Sequence, residues 1–219
     1  MQIKHIVRII AVATALIGAN AHAAGNLIID GGFDIGASYG DYNYANNFHG
    51  SMTGQGSPWT FTDASGVVNH AGAWGGAASS ATMAFIQNYN GFSANTPTVS
   101  QSFSSSASSY TVSFDLAQRP GNQESVQVTL DGQVLSGGLL TPNSNGINSY
   151  SYTVSGLSGT SHTLQFKGIN NSGAYDSSLF LDNVNVTAAV PEPETYAMMV
   201  AGLAMVGAIA RRRKAKQAA

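Results

Sequence analysis

Aromatic rings and side-chain amides are concentrated in the first half of this 219-residue chain, between Ile35 and Asn95. Flat rings stack on the apolar faces of sugars, and amides and charged groups bond sugar hydroxyls. The candidate carbohydrate-binding residues are Tyr42, Tyr44, Trp74, Tyr89 and Arg119. For each aromatic residue the alternative is an ordinary place in the core. For Arg119 the alternative is a buried ion pair with an acid.

Residue types used in catalysis are present without the spacing that catalysis needs. His49, His70 and His162 show no metal-ligand spacing, and the serines have no partnered base in a known motif. Two carboxylates such as Asp41 and Asp63 are enough for glycoside hydrolysis, but acids are common enough here that such a pair says little. We therefore predict that the chain is not an enzyme, with a glycosidase as the catalytic alternative.

Charge is distributed unevenly along the chain. Between Ala24 and Val190 the only cations are Arg119 and Lys167, against nine acids, so this body has a formal charge of 2 − 9 = −7. Binding to nucleic acid depends on Lys and Arg that neutralise phosphates, so nucleic acid is excluded as a partner. The chain has no cysteine, so core packing, strand closure or a bound ion must replace disulfides in its stabilisation.

The elements that must position these residues are β-strands. Apolar and polar residues alternate from Tyr110 to Leu116 with the period of two expected of a strand with one buried face. Asp131-Gly132, between two β-rich runs, predicts a type I′ hairpin turn. The spacing of the strands and the absence of a fixed repeat predict an all-β body with a jelly-roll β-sandwich fold.

The last strand of this body changes its alternation part-way along. Leu179 and Leu181 share one strand phase, whereas Val184 and Val186 share the other. A one-residue slip of this kind predicts a β-bulge at Asp182-Asn183, which would re-aim the Asp182 side chain.

Both ends of the chain carry targeting segments. Lys4 and Arg8 precede an apolar stretch and the small residues Ala21-His22-Ala23, which predicts a signal peptide over residues 1–23 with cleavage after Ala23. At the other end, Pro191-Glu192-Pro193 leads into an apolar run and then into Arg211, Arg212 and Arg213. That order predicts a transmembrane sorting helix with its basic end in the cytoplasm.

The tail over residues 189–219 resembles the PEP-CTERM family of bacterial envelope proteins. The resemblance rests on Pro191, Glu192 and Pro193 and on the basic stop at Arg211 to Arg213. It implies processing by exosortase, a membrane transpeptidase-like enzyme, with membrane anchoring before the tail is cut. Export across the inner membrane and a final place at the cell surface or in the extracellular matrix are then expected.

The borders of the body, residues 24–188, resemble galactose-binding-like jelly rolls and related carbohydrate-binding modules. The resemblance is carried by the run from Asn26 to Asp34, by Pro58-Trp59 and by Leu181-Asp182-Asn183-Val184. It implies that the first and last strands lie side by side near a structural calcium ion held by Asp34 and Asp182. Calcium prefers oxygen ligands of this kind. The alternative is that both acids cap turns through hydrogen bonds.

Together these observations predict an exported, non-catalytic envelope or biofilm-matrix protein that binds exopolysaccharide. The alternative from a different class is a structural surface protein that self-associates and binds no sugar.

Overall fold

The computed structural model describes residues 25–35, 42–44, 56–68, 82–89, 96–143, 146–169, 176–189 and 193–217. Residues 25–189 form one compact unit made of β-strands. Its strands are β1 Tyr42–Tyr44, β2 Thr60–Thr62, β3 Ser65–Val68, β4 Met83–Tyr89, β5 Thr98–Ser104, β6 Ser109–Gln118, β7 Ser125–Leu130, β8 Gln133–Val134, β9 Asn148–Ser155, β10 Ser161–Ile169 and β11 Asp176–Ala188.

These strands form two antiparallel sheets. The six-stranded sheet has the order β1-β3-β4-β11-β6-β9, and the five-stranded sheet has the order β2-β5-β10-β7-β8. The predicted all-β sandwich is confirmed. The first three strands, β1 to β3, have only three or four residues each, whereas β4 has seven.

Local sequence explains the better defined strands. Burial alternates along β6, whose inward residues Tyr110, Val112, Phe114 and Leu116 are buried between the sheets. Leu130 pairs with Gln133, which leaves a two-residue loop in which Asp131 and Gly132 have φ values of 52° and 79°. Positive φ at both positions is what a type I′ turn requires, and glycine adopts it without steric cost. The predicted β7–β8 hairpin is therefore confirmed.

Apolar side chains are buried on both faces of the six-stranded sheet. The larger cluster fills the space between the sheets and includes Phe114, Phe166 and Leu181. A smaller cluster lies on the opposite face, which we call the outer face, and its members are Ala64, Val68, Met83, Phe85, Ala117 and Phe180. The outer face is thus apolar where β3, β4, β6 and β11 carry this cluster. Polar side chains on the same face are exceptions to this pattern.

The first segment of the body lies against the last strand. Leu27 N–H donates to Val186 O at 2.8 Å, and Val184 N–H donates to Gly31 O at 2.9 Å. A Cβ atom at Gly31 would lie 2.0 Å from Val184 O, so only glycine allows this approach. The expectation that the first and last segments of the body lie side by side is confirmed.

The bulge predicted in the last strand is also present. Asp182 pairs with Asp115 of β6, but Asn185 pairs with Ser113, so β11 contains one extra residue between these pairs. Asn183 lies inside the irregularity with a φ of 51°, and asparagine is one of the few residues that accept this conformation readily. The slip in the alternation therefore came from a bulge, and it lets Leu181 and Val184 both enter the core.

The C-terminal element is a separate helix, α1, over Pro193–Gln217. Its large apolar side chains are exposed, among them Met198, Leu203 and Ile209. Among the helices of the described residues, none has the length and hydropathy of a membrane span. The predicted transmembrane helix is therefore not confirmed, because the apolar run before Arg211 is shorter than the roughly 17–25 apolar residues that a span usually needs.

Candidate functional site: a polar end on the outer sheet face

Polar residues replace the apolar cluster at one end of the outer face. Strand register places Phe85 opposite Phe180, then Gln87 opposite Ser178, and Tyr89 opposite Asp176. Paired residues in neighbouring antiparallel strands share a face. The end of β4 and the start of β11 therefore form a polar extension of an otherwise apolar surface.

Three side chains at this end make a connected group, the outer-face trio of Gln87, Arg119 and Asp176. Arg119 Nη1 donates to Asp176 Oδ2 at 2.8 Å, and Gln87 Nε2 donates to Asp176 Oδ1 at 2.5 Å. The side chains of Arg119 and Asp176 are 23% and 29% exposed, so solvent and ligands reach them, whereas Gln87 is buried. A guanidinium beside a carboxylate and an amide offers donors and acceptors together, which suits hydroxyl-rich ligands.

Ser178 adds an unsatisfied polar atom to the same face. Its register partner is Gln87, and its side chain is fully buried. In the part of the chain that the structure describes, the Ser178 hydroxyl is the buried side-chain polar atom without a hydrogen-bond partner. Leaving such a group unpaired costs about 1–3 kcal/mol, so a native protein usually keeps one for a reason.

A second polar group lies on the inner face of the same strand ends, around Glu124. The Glu124 carboxylate accepts hydrogen bonds from Asn88 Nδ2 and Ser177 Oγ. Gln118 bonds the Glu124 backbone twice, with Nε2 donating to its carbonyl at 2.6 Å and Oε1 accepting from its N–H at 3.0 Å. Glu124 is fully buried, and burial raises its pKa to about 7 against the hydrogen bonds, which lower it.

The two polar groups are joined through the chain itself. Each inner-face residue that contacts Glu124 is the direct sequence neighbour of a trio residue: Asn88 follows Gln87, Gln118 precedes Arg119, and Ser177 follows Asp176. Successive residues of a strand point to opposite faces. The buried glutamate therefore ties together the three strand ends that present the outer-face trio.

Glu124 and Asp176 were not predicted as site residues. Glu124 lies in no recognisable motif. Its carboxylate is bonded from β4, from β11 and by the Ile169 backbone of β10, and its own backbone is bonded from β6, so only the fold brings these partners together. For Arg119 the structure shows the ion pair that was left open as an alternative, in a half-exposed rather than a buried form.

The predicted aromatic residues can be placed only in part. Register puts Tyr89 opposite Asp176, beside the trio, and puts Tyr42 and Tyr44 opposite Val68 and Gly66 of β3 on the same sheet. The side chains of these tyrosines, and Trp74 altogether, lie outside the described residues. Pro191 and Glu192 also lie outside them, whereas Pro193 begins α1 and Arg213 is exposed on it.

The predicted metal residues lie where the first segment meets β11. Asp34 Oδ1 accepts a hydrogen bond from Thr82 Oγ1 at 2.6 Å, and Thr82 immediately precedes β4. Asp182 is 1% exposed, and its Oδ1 accepts from the Asn183 N–H at 2.7 Å. The Asp182 contact is a local one to the backbone, whereas the Asp34 contact joins two side chains that are 48 residues apart in the sequence.

Asp30 is a further acid in this region. Its two carboxylate oxygens accept the N–H groups of Asp34 at 2.8 Å and Ile35 at 3.1 Å, which fixes the loop that carries Asp34. Its carbonyl accepts from Trp59 Nε1 at 2.8 Å. Partial burial raises the pKa of Asp30 in spite of these bonds. The carboxylates and irregular backbone carbonyls are hard donors that calcium favours, although no group of three metal-binding side chains occurs among the described residues.

A buried histidine, His162, is paired with Asp131 at the other end of the sandwich. His162 is fully buried, with Nδ1 2.6 Å from Asp131 Oδ2 and Nε2 3.2 Å from Ser105 O. The imidazole also packs against Phe103 and Tyr110, with ring centroids 5.5 and 5.0 Å away. These contacts fasten the β7–β8 hairpin to β10, which gives His162 a structural place.

Comparison with known proteins separates the tail from the body. Residues 189–214 match the PEP-CTERM protein-sorting motif, which implies export, anchoring through the C-terminus and processing by exosortase. A comparison with curated protein sequences finds no match. The chain thus carries a C-terminal segment similar to the PEP-CTERM sorting motif, behind a body that is a sandwich of two antiparallel β-sheets.

The comparison with solved structures finds matches to this chain at low sequence identity. TmCBM61, solved in complex with β-1,4-galactotriose, is 15% identical with a TM-score of 0.44, over 75% of this chain and 99% of that one. The xylan-binding domain CBM22-1 of Paenibacillus barcinonensis Xyn10C is 12% identical with a TM-score of 0.48, over 78% and 100%. The α-L-arabinofuranosidase MgGH51 is 10% identical with a TM-score of 0.50, over 75% of this chain but 26% of that enzyme.

Proposed function

We propose that this protein is exported, processed at its tail by exosortase, and binds exopolysaccharide without cleaving it, at the cell surface or in a biofilm matrix. The observation that carries the sugar-binding part is the outer-face trio. It sets a half-exposed guanidinium and carboxylate beside a buried amide, next to the unpaired Ser178 hydroxyl and the Tyr89 position.

The geometry of this group fits a neutral glycan. The positive charge of Arg119 is already matched by Asp176, so the group as a whole attracts polar hydroxyls rather than a single strong charge. Carboxylate oxygens accept from sugar hydroxyls and guanidinium N–H groups donate to them. The predicted aromatic residues would supply the stacking surface, with Tyr89 in register beside the trio and Trp74, Tyr42 and Tyr44 as further candidates.

Calcium is proposed here as a structural ion rather than as part of the sugar site. Asp34 and Asp182 would contribute carboxylate oxygens, and the loop from Asp30 would contribute carbonyls. A bound ion would offset the concentration of acids in a body with a formal charge of −7. Its expected effect is on folding stability, and a measurement of that effect is given in the Discussion.

The two cations of the body allow a matched experiment on sugar binding. Arg119→Met removes the guanidinium from the trio, and Lys167→Met makes the same charge change on β10 of the other sheet. Affinity electrophoresis through exopolysaccharide and a glycan array, both with residues 24–190, measure retention. We expect Arg119→Met to weaken the affinity for the polysaccharide at least ~10-fold, which corresponds to about 1.4 kcal/mol. We expect Lys167→Met to leave that affinity unchanged.

Two results would decide against this proposal. Equal retention of both variants would remove the trio from the binding site. Release of reducing sugar from the same polysaccharides by the unmodified body would show a glycosidase instead.

A further inference from the structure

The open edge of the six-stranded sheet at β9 differs from the other described edges. β9 spans Asn148–Ser155, eight residues, and among the described strands β6 is its one partner. The other terminal strands, β1, β2 and β8, have three, three and two residues. A long edge strand presents a row of unpaired N–H and C=O groups and is a template for another strand.

β9 also lacks the devices by which proteins usually protect such an edge. Charged side chains, proline and bulges on an edge strand prevent pairing between molecules. No Asp, Glu, Lys, Arg or His occurs anywhere from residue 132 to residue 161, and β9 itself contains no proline. In a body with nine acids, this run therefore adds no charge of its own to a contact with a second copy, and the carboxylate beside it, Asp115 of β6, accepts a hydrogen bond from Ser149 Oγ at 2.6 Å.

The side chains of β9 are matched to such a contact. Tyr150 stacks on Phe114 with ring centroids 5.5 Å apart, and Tyr152 lies nearly parallel to Tyr150 with centroids 6.4 Å apart. Both tyrosines are half-buried, and burial raises the pKa of each. Ile147, just before the strand, is 40% exposed. Each of these groups has apolar surface left for a partner to cover.

We propose that β9 pairs antiparallel with β9 of a second copy of this chain, so that the protein forms a two-fold symmetric dimer. For the two sheets to join into one, residues that pair across the interface must point to the same face of the sheet. A two-fold axis at Ser151 satisfies this requirement. It places Tyr150 opposite Tyr152 of the partner subunit, and Ser151 opposite its own equivalent.

This pairing stops at two copies. An interface that uses the same patch on both copies is closed, so it forms a dimer rather than a filament. The remaining described edges are short and offer no equivalent template. The antiparallel junction also keeps the outer faces of both copies on the same side of one continuous sheet. The proposal does not depend on sugar binding, but a dimer that does bind sugar would hold two sites side by side.

The experiment compares one substitution at two serines. Ser151 and Ser161 are both exposed, and neither side chain makes a hydrogen bond in the described structure. Ser151→Lys places two like charges across the proposed axis, whereas Ser161→Lys places the same charge on β10. Sedimentation velocity over a wide range of concentrations is run on residues 24–190, which contain the whole compact β unit and its core.

We expect the unmodified protein to show a concentration-dependent monomer–dimer equilibrium. Ser151→Lys is expected to raise the dimer dissociation constant at least ~10-fold and Ser161→Lys to leave it unchanged. Hydrogen exchange supplies a second measurement, in which protection of the amides of 148–155 rises with protein concentration. A monomer at all concentrations, a dimer that survives Ser151→Lys, or concentration-dependent protection confined to other strands would overturn the proposal.

Discussion

Replacing Glu124 by glutamine should change how the stability of the body depends on pH. Glutamine has nearly the same shape and keeps an oxygen for Asn88 and a polar contact for Ser177, which are the side chains that bond Glu124. It removes the ionisable group and replaces one acceptor oxygen by an amide nitrogen that donates. Burial raises the pKa of Glu124 from its ordinary 4.5 to about 7 in the folded protein, so the two forms differ between those values.

The direction and size of the effect follow from proton linkage. The unfolded chain loses this proton near pH 4.5 and the folded protein near pH 7, so between these values the folded state holds more protons. The free energy of unfolding therefore falls as pH rises through this window. A difference of about 2.5 pH units at 1.36 kcal/mol each corresponds to about 3 kcal/mol. Below pH 4.5 and above pH 7 this group adds no further slope.

Urea unfolding of residues 24–190 at several pH values from 4 to 8 is the measurement. The difference in unfolding free energy between the glutamine variant and the unmodified body should shift by about 3 kcal/mol in favour of the variant as pH rises from 4.5 to 7. Ionisable groups other than residue 124 are common to both proteins and cancel in this difference. Parallel stability profiles across the whole range would refute the reasoning and show that Glu124 ionises as an exposed carboxyl does.

Three further outcomes are expected from the same body and from the whole chain. Gly31→Ala should lower the free energy of unfolding by about 2–3 kcal/mol, because the new Cβ would lie 2.0 Å from a backbone carbonyl oxygen. Gly32→Ala should change it little, because the nearest atom to its Cβ is 3.4 Å away. Equal losses in the two variants would contradict this account. Millimolar calcium should raise the melting temperature of residues 24–190 by about 5–10 °C over excess chelator, a response that Asp182→Asn should lose; identical curves would exclude the ion. Intact-mass analysis of surface-released protein should show residues 1–23 missing and a new C-terminus close to Pro191, and recovery of only chains that retain the arginines would reject tail processing.

Features that depend on neighbouring residues were predictable from the sequence. The β7–β8 turn follows from Asp131-Gly132, and the bulge in β11 follows from the change of phase between Leu181 and Val184. Alternation alone also identified the strand that runs from Tyr110 to Leu116. In each case a period of two or a special φ value leaves a local mark on the chain.

Features that depend on which strands are neighbours were not predictable in this way. Nothing near Glu124 indicates that the end of β4 and the start of β11 lie beside it, because both are far from it in the sequence. The partner of Arg119 was open for the same reason, since any of the acids of the body was available to it. The tail shows a different limit: its motif was recognisable, but the order of its segments did not guarantee a helix apolar enough to cross a membrane.

The position of β11 has a mechanical consequence. It is the longest strand, Asp176–Ala188, and it lies between β4 and β6, with the first segment of the body bonded to it as well. Any tension applied to the chain beyond residue 189 enters the fold through this strand. The load would then be shared by hydrogen bonds to two neighbouring strands instead of peeling a terminal strand from an edge. A pull on the C-terminus of the body would therefore be resisted along the whole length of a central strand.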